Sequence, residues 1–259
     1  MELFVYIMLF FAGLVGGITN AIAGGASFFT FPAFLATGIP PIVANASNLI
    51  AVWPGNTIAV FGYRKQLSNY SGDIRLSIVI ALLGGGIGAL ILIFTGNSAF
   101  VKLVPFLILF ATIVFTYGDS ISKYIATYSD DQKRIKHNIS TRIMEFLFAI
   151  YGGFFGAGLG IMLMAGLQIL GIRDIQLNNA LKNLLGAVIS LVAVIIFAIS
   201  GIVAWDYTIA AFIGAMIGGL IGARFAQWLS AIWLRRVVIL FGSFFSIYYF
   251  LKYYTNLFL

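Results

Sequence analysis

The sequence contains no cysteine and a single histidine, His137, in 259 residues. Disulfides, thiol chemistry and cysteine metal sites are therefore excluded, and one histidine cannot build a metal centre by itself. Charge is scarce too: Asp, Glu, Lys and Arg make up 9% of the chain, against about 25% in a soluble globular domain. No HExxH or GxSxG motif and no pair of membrane aspartates occurs, which weakens any assignment as an intramembrane hydrolase or transferase. Alternating ten-residue segments, the signature of a membrane β-barrel, are also missing. No metal or organic cofactor is expected.

What remains is apolar: 61% of the residues are hydrophobic and 16% aromatic. The expected fold class is an all-α polytopic membrane protein, because about 20 residues span the hydrocarbon and non-helical backbone cannot face lipid. The formal charge of +7 does not imply a nucleic-acid partner, since the basic residues sit in short loops between apolar runs, where they set topology. The expected partner is the lipid bilayer. The N-terminal MELFVYIMLFFAGLVGG carries Glu2 and no basic leader, so it is expected to stay as a first helix.

Apolar segments fall at about 3–23, 28–37, 42–63, 74–95, 100–117, 143–155, 161–170, 177–203, 207–228 and 237–254. The segments at 28–37 and 161–170 are too short to span. Each follows a glycine cluster, GGITNAIAGGAS at 16–27 and GGFFGAGLG at 152–160. Glycine permits sharp reversal, so each cluster is expected to break the chain between a helix and a re-entrant half-helix.

The stretch Leu177 to Val188, LNNALKNLLGAV, places a lysine and three asparagines in an apolar run. On a helix Asn179, Lys182, Asn183, Gly186 and Ser190 form one polar and small stripe, which should face protein or water. A weaker copy lies about 135 residues earlier, where ASNLIAV at 46–52 sets Asn48 over Asn183 and Ser47 over Lys182. A shift of 133 sets Gly25, Ser27 and Gly38 over Gly158, Gly160 and Gly171, and a shift of 134 sets GGGIGA at 84–89 over GGLIGA at 218–223. The expected organisation is a first transmembrane repeat at 1–120, a cytoplasmic linker at 121–139 and a second repeat at 140–259. Each repeat is expected to hold a helix, a re-entrant half-helix and three spanning helices.

Arg64, Lys65 and Arg75, the linker with Lys123, Lys133, Arg134, Lys136 and Arg142, and Arg235 with Arg236 mark three basic loops. All three fall inside, with both termini outside, if each half-helix returns the chain to its starting side. That makes the halves an inverted repeat, an arrangement common among secondary transporters.

Several of these residues carry a family resemblance: Gly24-Gly25, Phe31-Pro32, Gly38-Ile39-Pro40-Pro41, then Ala44-Asn45-Ala46-Ser47-Asn48, with a degenerate second copy at 156–183. The chain resembles the sulfite exporter TauE/SafE family of membrane permeases, departing from it in a thinner glycine run where Ala26-Ser27 follow Gly24-Gly25. The resemblance implies transport of a small sulfur-containing anion, such as sulfite, a sulfonate or thiosulfate, across the bacterial inner membrane. Another small anion or an organic acid is the alternative substrate, and a structural membrane subunit or an enzyme is the alternative class. A homodimer is an expectation of the same kind, since small transporters often pair.

A small oxyanion needs donors and positive potential where water is scarce, and half-helix N-termini supply both. The expected binding residues are Gly25, Ala26 and Ser27 at one start, Gly158 and Gly160 at the other, and Asn20, Asn45, Ser47, Asn48, Asn179, Lys182 and Asn183 as side-chain donors. For Lys182 the competing reading is a stem that snorkels to the inner surface, and for the asparagines it is helix-to-helix hydrogen bonding. Arg224 is expected to snorkel, and the runs at 84–88 and 218–222 to be close-packing faces. Trp53, Trp205, Tyr248 and Tyr249 are expected in aromatic belts or in packing. The acidic residues, Glu145, Asp174 and Asp206 among them, are expected in loops or near segment ends, which argues against a buried carboxylate relay.

Overall fold

The computed structural model describes residues 2–22, 24–68, 70, 74–128, 139–172, 174–225 and 231–255. Among them every regular element is a helix: α1 Glu2–Ile22, α2 Ser27–Ala36, α3 Pro41–Gly62, α4 Arg64–Ser68, α5 Ile74–Thr95, α6 Asn97–Tyr128, α7 Ile139–Phe154, α8 Leu159–Ile169, α9 Ile175–Ile199, α10 Trp205–Phe225 and α11 Ala231–Tyr254. Six of these (α1, α5, α6, α9, α10 and α11) are long and apolar enough to cross a bilayer. The two short ones, α2 and α8, have 10 and 11 residues, about 15 Å of rise and half the hydrocarbon depth.

Local sequence sets the boundaries. α3 opens with Pro41 in its first turn, where a missing N–H is harmless. α9 opens on Asp174, whose Oδ1 accepts from the Leu177 N–H at 2.6 Å, an N-cap bond. The reversals before the short helices need left-handed backbone: Gly25 has φ +93° and Gly158 φ +75°, a region that glycine enters without strain. The Tyr151 hydroxyl donates to the Ala157 carbonyl at 2.6 Å, pinning the second reversal.

The core is apolar, yet it also takes in polar side chains while large apolar ones cover the outside. Asn45, Ser47 and Asn48 are wholly buried, while Phe94 is 83% exposed, as expected where the surroundings are lipid. α3 and α9 cross at the centre, with the Trp53 Nε1–H donating to the Ala187 carbonyl at 3.3 Å. Around them α1 packs on α10, α5 on α7 and on α9, α10 on α3, and α6 on α11. The glycine runs are close-packing faces: a Cβ on Gly88 would lie 2.0 Å from the Ile150 carbonyl oxygen, and one on Gly218 2.0 Å from that of Leu14. The helices touch backbone to backbone there, which is how apolar helices associate without a hydrophobic driving force.

α6 runs on as a helix to Tyr128, into the expected linker, its span-length apolar part being Asn97–Gly118. The linker's Lys133, Arg134, Lys136 and His137 lie outside the described residues. Glu145 is neither in a loop nor at a segment end: it sits inside α7, 8% exposed. Its Oε2 is 2.8 Å from Arg142 Nη1, and its Oε1 accepts from the Ser77 hydroxyl at 3.2 Å. Pairing of this kind lets a carboxylate lie buried. It also joins the start of α7 to the start of α5.

The tight helix contacts generate a test. Gly218→Ala has no room and should destabilise the protein by about 1–3 kcal/mol, whereas a Cβ on Gly219 meets nothing within 4 Å. Gly219→Ala should leave stability unchanged or raise it by up to about 1 kcal/mol. Thermal unfolding in detergent reads both, and equal midpoints for the two variants would contradict the packing.

Candidate substrate-binding site

The break between α1 and α2 and the break between α7 and α8 open onto one cavity of about 60 Å³. That is several times the roughly 10–15 Å³ one water needs. Its walls are Asn20, the segment Gly24–Ser27, Leu49, Val52 and Asn56 of α3, residues of 156–163 and, from α9, Lys182, Gly186 and Ser190. Both short helices therefore begin at the same small space. The N–H groups of Phe28, Phe29 and Thr30 donate to the Gly25 and Ala26 carbonyls, and those of Leu159, Ile161 and Met162 to the Gly156 and Gly158 carbonyls, so each start presents chiefly its dipole, about half a positive charge.

Glycines make room for the polar side chains. A Cβ on Gly160 would lie 3.6 Å from Cδ of Lys182, one on Gly186 3.3 Å from Nδ2 of Asn56, and one on Gly55 2.9 Å from Nδ2 of Asn20. The Lys182 stem thus passes across α8 and lines the cavity. Among the described residues Lys182 is the one charged group in the wall, and no carboxylate joins it. One ammonium, two helix starts and the amides of Asn20 and Asn56 make the cavity an electropositive, donor-rich place.

Of the residues expected to bind, Asn20, Gly25, Ala26, Ser27, Gly158, Gly160 and Lys182 come together here. Asn45, Ser47, Asn48, Asn179 and Asn183 do not line the cavity. Asn45 Nδ2 donates to the Phe154 carbonyl at 2.8 Å, and Ser47 Oγ accepts from the Ala204 N–H at 3.0 Å. Both tie α3 to neighbouring helix ends. Asn48 lies behind the wall, donating from Nδ2 to Ser27 Oγ at 3.1 Å. Asn179 is half-buried toward the start of α9 and Asn183 is buried beside the stripe. The buried amide in that turn is Asn178, whose Nδ2 donates to the carbonyls of Met164 and Ile172, both at 3.2 Å, fastening α8 to α9.

Asn56 escaped the sequence reasoning, although it falls two turns beyond Asn48 on the same helix. A second, larger concavity of about 620 Å³ opens among α1, α2 and α11. Its lining is apolar apart from Tyr248, Tyr249 and Lys252.

Long apolar helices that enclose a donor-lined cavity where two short helices begin are features of a membrane transporter. The chain belongs to the sulfite exporter TauE/SafE family, which it matches over residues 9–249. It is similar to a "Probable membrane transporter protein" of Haemophilus influenzae, 26% identical over 234 residues that cover 90% of this chain and 89% of that one. It is also similar to "Probable membrane transporter protein ORF9" of a Sinorhizobium species, 26% identical with 85% and 82% covered, and to "Probable membrane transporter protein YfcA" of Escherichia coli K12, 25% identical with 84% and 79% covered. No solved structure matches the chain.

The cavity should be closed by a side chain grown from Gly160. Gly160→Leu must fill the space or displace the Lys182 stem, so stabilisation of the detergent-solubilised protein by added sulfite or thiosulfate, about 2.7 kcal/mol at 100 times Kd, should vanish while the protein stays monodisperse. Undiminished anion-dependent stabilisation of that variant would place the ligand elsewhere.

Proposed function

We propose that the protein is a secondary transporter or uniporter that moves a small sulfur-containing oxyanion across the bacterial inner membrane. The observation that carries this is the cavity shared by the starts of α2 and α8, with Lys182 in its wall and no carboxylate opposite. Positive potential with donors from two helices suits a pyramidal or tetrahedral anion, whose oxygens point in several directions. A volume near 60 Å³ favours the smallest candidates, sulfite first, over sulfonates bearing an organic chain.

In this proposal residues 1–120 and 140–259 are inverted repeats joined by the linker 121–139, with all basic loops cytoplasmic and both termini outside. The helix pairs support it. Exchanging the halves turns α1 on α10 into α7 on α5, and α5 on α9 into α10 on α3, while α3 with α9 and α6 with α11 exchange with themselves. An offset of 134 carries the wall residues Gly24, Ala26, Val52 and Asn56 onto Gly158, Gly160, Gly186 and Ser190, which are also wall residues. Basic ends meet as the orientation requires. Arg142 at the start of α7 contacts Ser77 at the start of α5, and Arg235 at the start of α11 donates to the carbonyls of Phe115 and Thr116 late in α6.

The transport cycle follows from the geometry. The anion sheds water into fixed donors, held between two half-helices that belong to different repeats. Movement of the tightly packed α1–α10 pair against the α5–α7 pair, each drawn from both repeats, opens the cavity to one side at a time. Lys182 binds the charge in both states and sets affinity.

Sulfite, thiosulfate and sulfonate flux into proteoliposomes tests this. Wild type should carry sulfite, and Lys182→Ala should lower the rate at low substrate at least tenfold while inserting normally, the loss expected for one charged hydrogen bond. Absence of flux for every sulfur anion would sink the substrate assignment, and unchanged flux in Lys182→Ala would return Lys182 to a snorkelling role.

A further inference from the structure

We propose that Thr30 and Asn48 are positioning residues that turn the hydroxyl hydrogen of Ser27 into the cavity, making Ser27 a directed donor to the bound anion. This rests on the cavity being the anion site. Thr30 and Asn48 are completely buried and Ser27 is 8% exposed, and of the three Ser27 alone reaches the wall.

The direction of the chain follows from donor and acceptor accounting. The Thr30 hydroxyl donates to Asn48 Oδ1. In that orientation of the amide, Nδ2 donates to Ser27 Oγ at 3.1 Å. A hydroxyl has one hydrogen and two lone pairs. Ser27 spends a lone pair on the amide, and among the described residues its hydrogen has no acceptor. The amide cannot take it, because Oδ1 is turned to Thr30. The remaining direction for the hydrogen is the cavity.

The opposite ordering would be wrong for an anion. Thr30 Oγ1 also lies 3.1 Å from the Ala26 carbonyl. Were its hydrogen committed there, its lone pairs would invite Nδ2 and leave Oδ1 facing Ser27. The serine hydrogen would then point into the protein, and its lone pairs would face the anion. Thr30, two side chains away from the ligand, thus sets the sign of the dipole that Ser27 presents. The second repeat has no counterpart: the 134-residue offset that pairs the cavity walls, which replaces the sequence pairing of Ser27 with Gly160 and Asn48 with Asn183, carries Ser27 to Ile161 and Asn48 to Lys182. One side of the site offers a full charge and the other an oriented hydroxyl.

The test uses full-length protein in proteoliposomes with sulfite as the probe. Thr30→Val keeps the shape and removes the donor, and Thr30→Ala removes it with less bulk. Each should raise the KM for sulfite roughly tenfold, with Vmax and inserted protein near wild type, and Thr30→Ser should restore KM. Ser27→Ala should raise KM as much, and Thr30→Val added to it should raise KM no further, because the two act through one hydrogen bond. Effects that multiply in the double variant, or a Thr30→Val change confined to Vmax or to the amount of folded protein, would assign Thr30 a packing role and overturn the proposal. Saturable wild-type flux with an unchanged KM in Thr30→Val and Thr30→Ala overturns the positioning role alone. A wild type that neither binds nor carries sulfite or thiosulfate overturns the anion site and this proposal with it.

Discussion

Breaking a helix inside a bilayer leaves backbone amides that lipid cannot satisfy, and the architecture depends on where those amides point. Both breaks here point inward, to one cavity walled by both halves of the chain. Each break is bought with glycines held at positive φ. Carbonyls of Gly25, Ala26, Gly156 and Gly158 accept first-turn N–H groups, and what both starts direct at the shared space is the positive end of a helix dipole, which suits water or an anion. Lys182 extends the same logic, because a lone ammonium at this depth needs a counter-charge and no carboxylate lines the cavity to provide one.

Glycine acts in two further ways. Along α5 and α10 it lets helices meet carbonyl against carbon, so that α1 with α10 and α5 with α7 become rigid pairs. Around the cavity Gly55, Gly160 and Gly186 leave the volume that Asn20, Lys182 and Asn56 occupy. The first use fixes which helices move together, and the second fixes how much room a ligand has.

Much of this was legible in the sequence. Apolar runs of the right length, glycine clusters before the two short segments and a lysine among asparagines are strong local signals, and they located both half-helix starts and Lys182. Side-chain direction was harder to read. Asn45, Ser47 and Asn48 look alike in the run ANASN, yet successive residues on a helix point about 100° apart, and in the fold two of them brace neighbouring helices while the third stands behind Ser27. Asn178 and Asn179 differ by one such step, and the buried one is the first. Asn56 lies outside the run ANASN that marks α3 in the sequence, two turns further along the same helix. Glu145 looked peripheral because its partner Ser77 lies 68 residues away, a pairing that no local pattern announces.

The most direct measurement is the position of the anion itself. Selenite has the shape and charge of sulfite and scatters anomalously, so crystals of the purified protein grown with it would report its site without a mutation. The account predicts one peak in the cavity within hydrogen-bonding distance of Ser27, Lys182 and the first turns of α2 and α8. A peak at the basic cytoplasmic ends or in the apolar groove beside α11, with the cavity holding water alone, would contradict it.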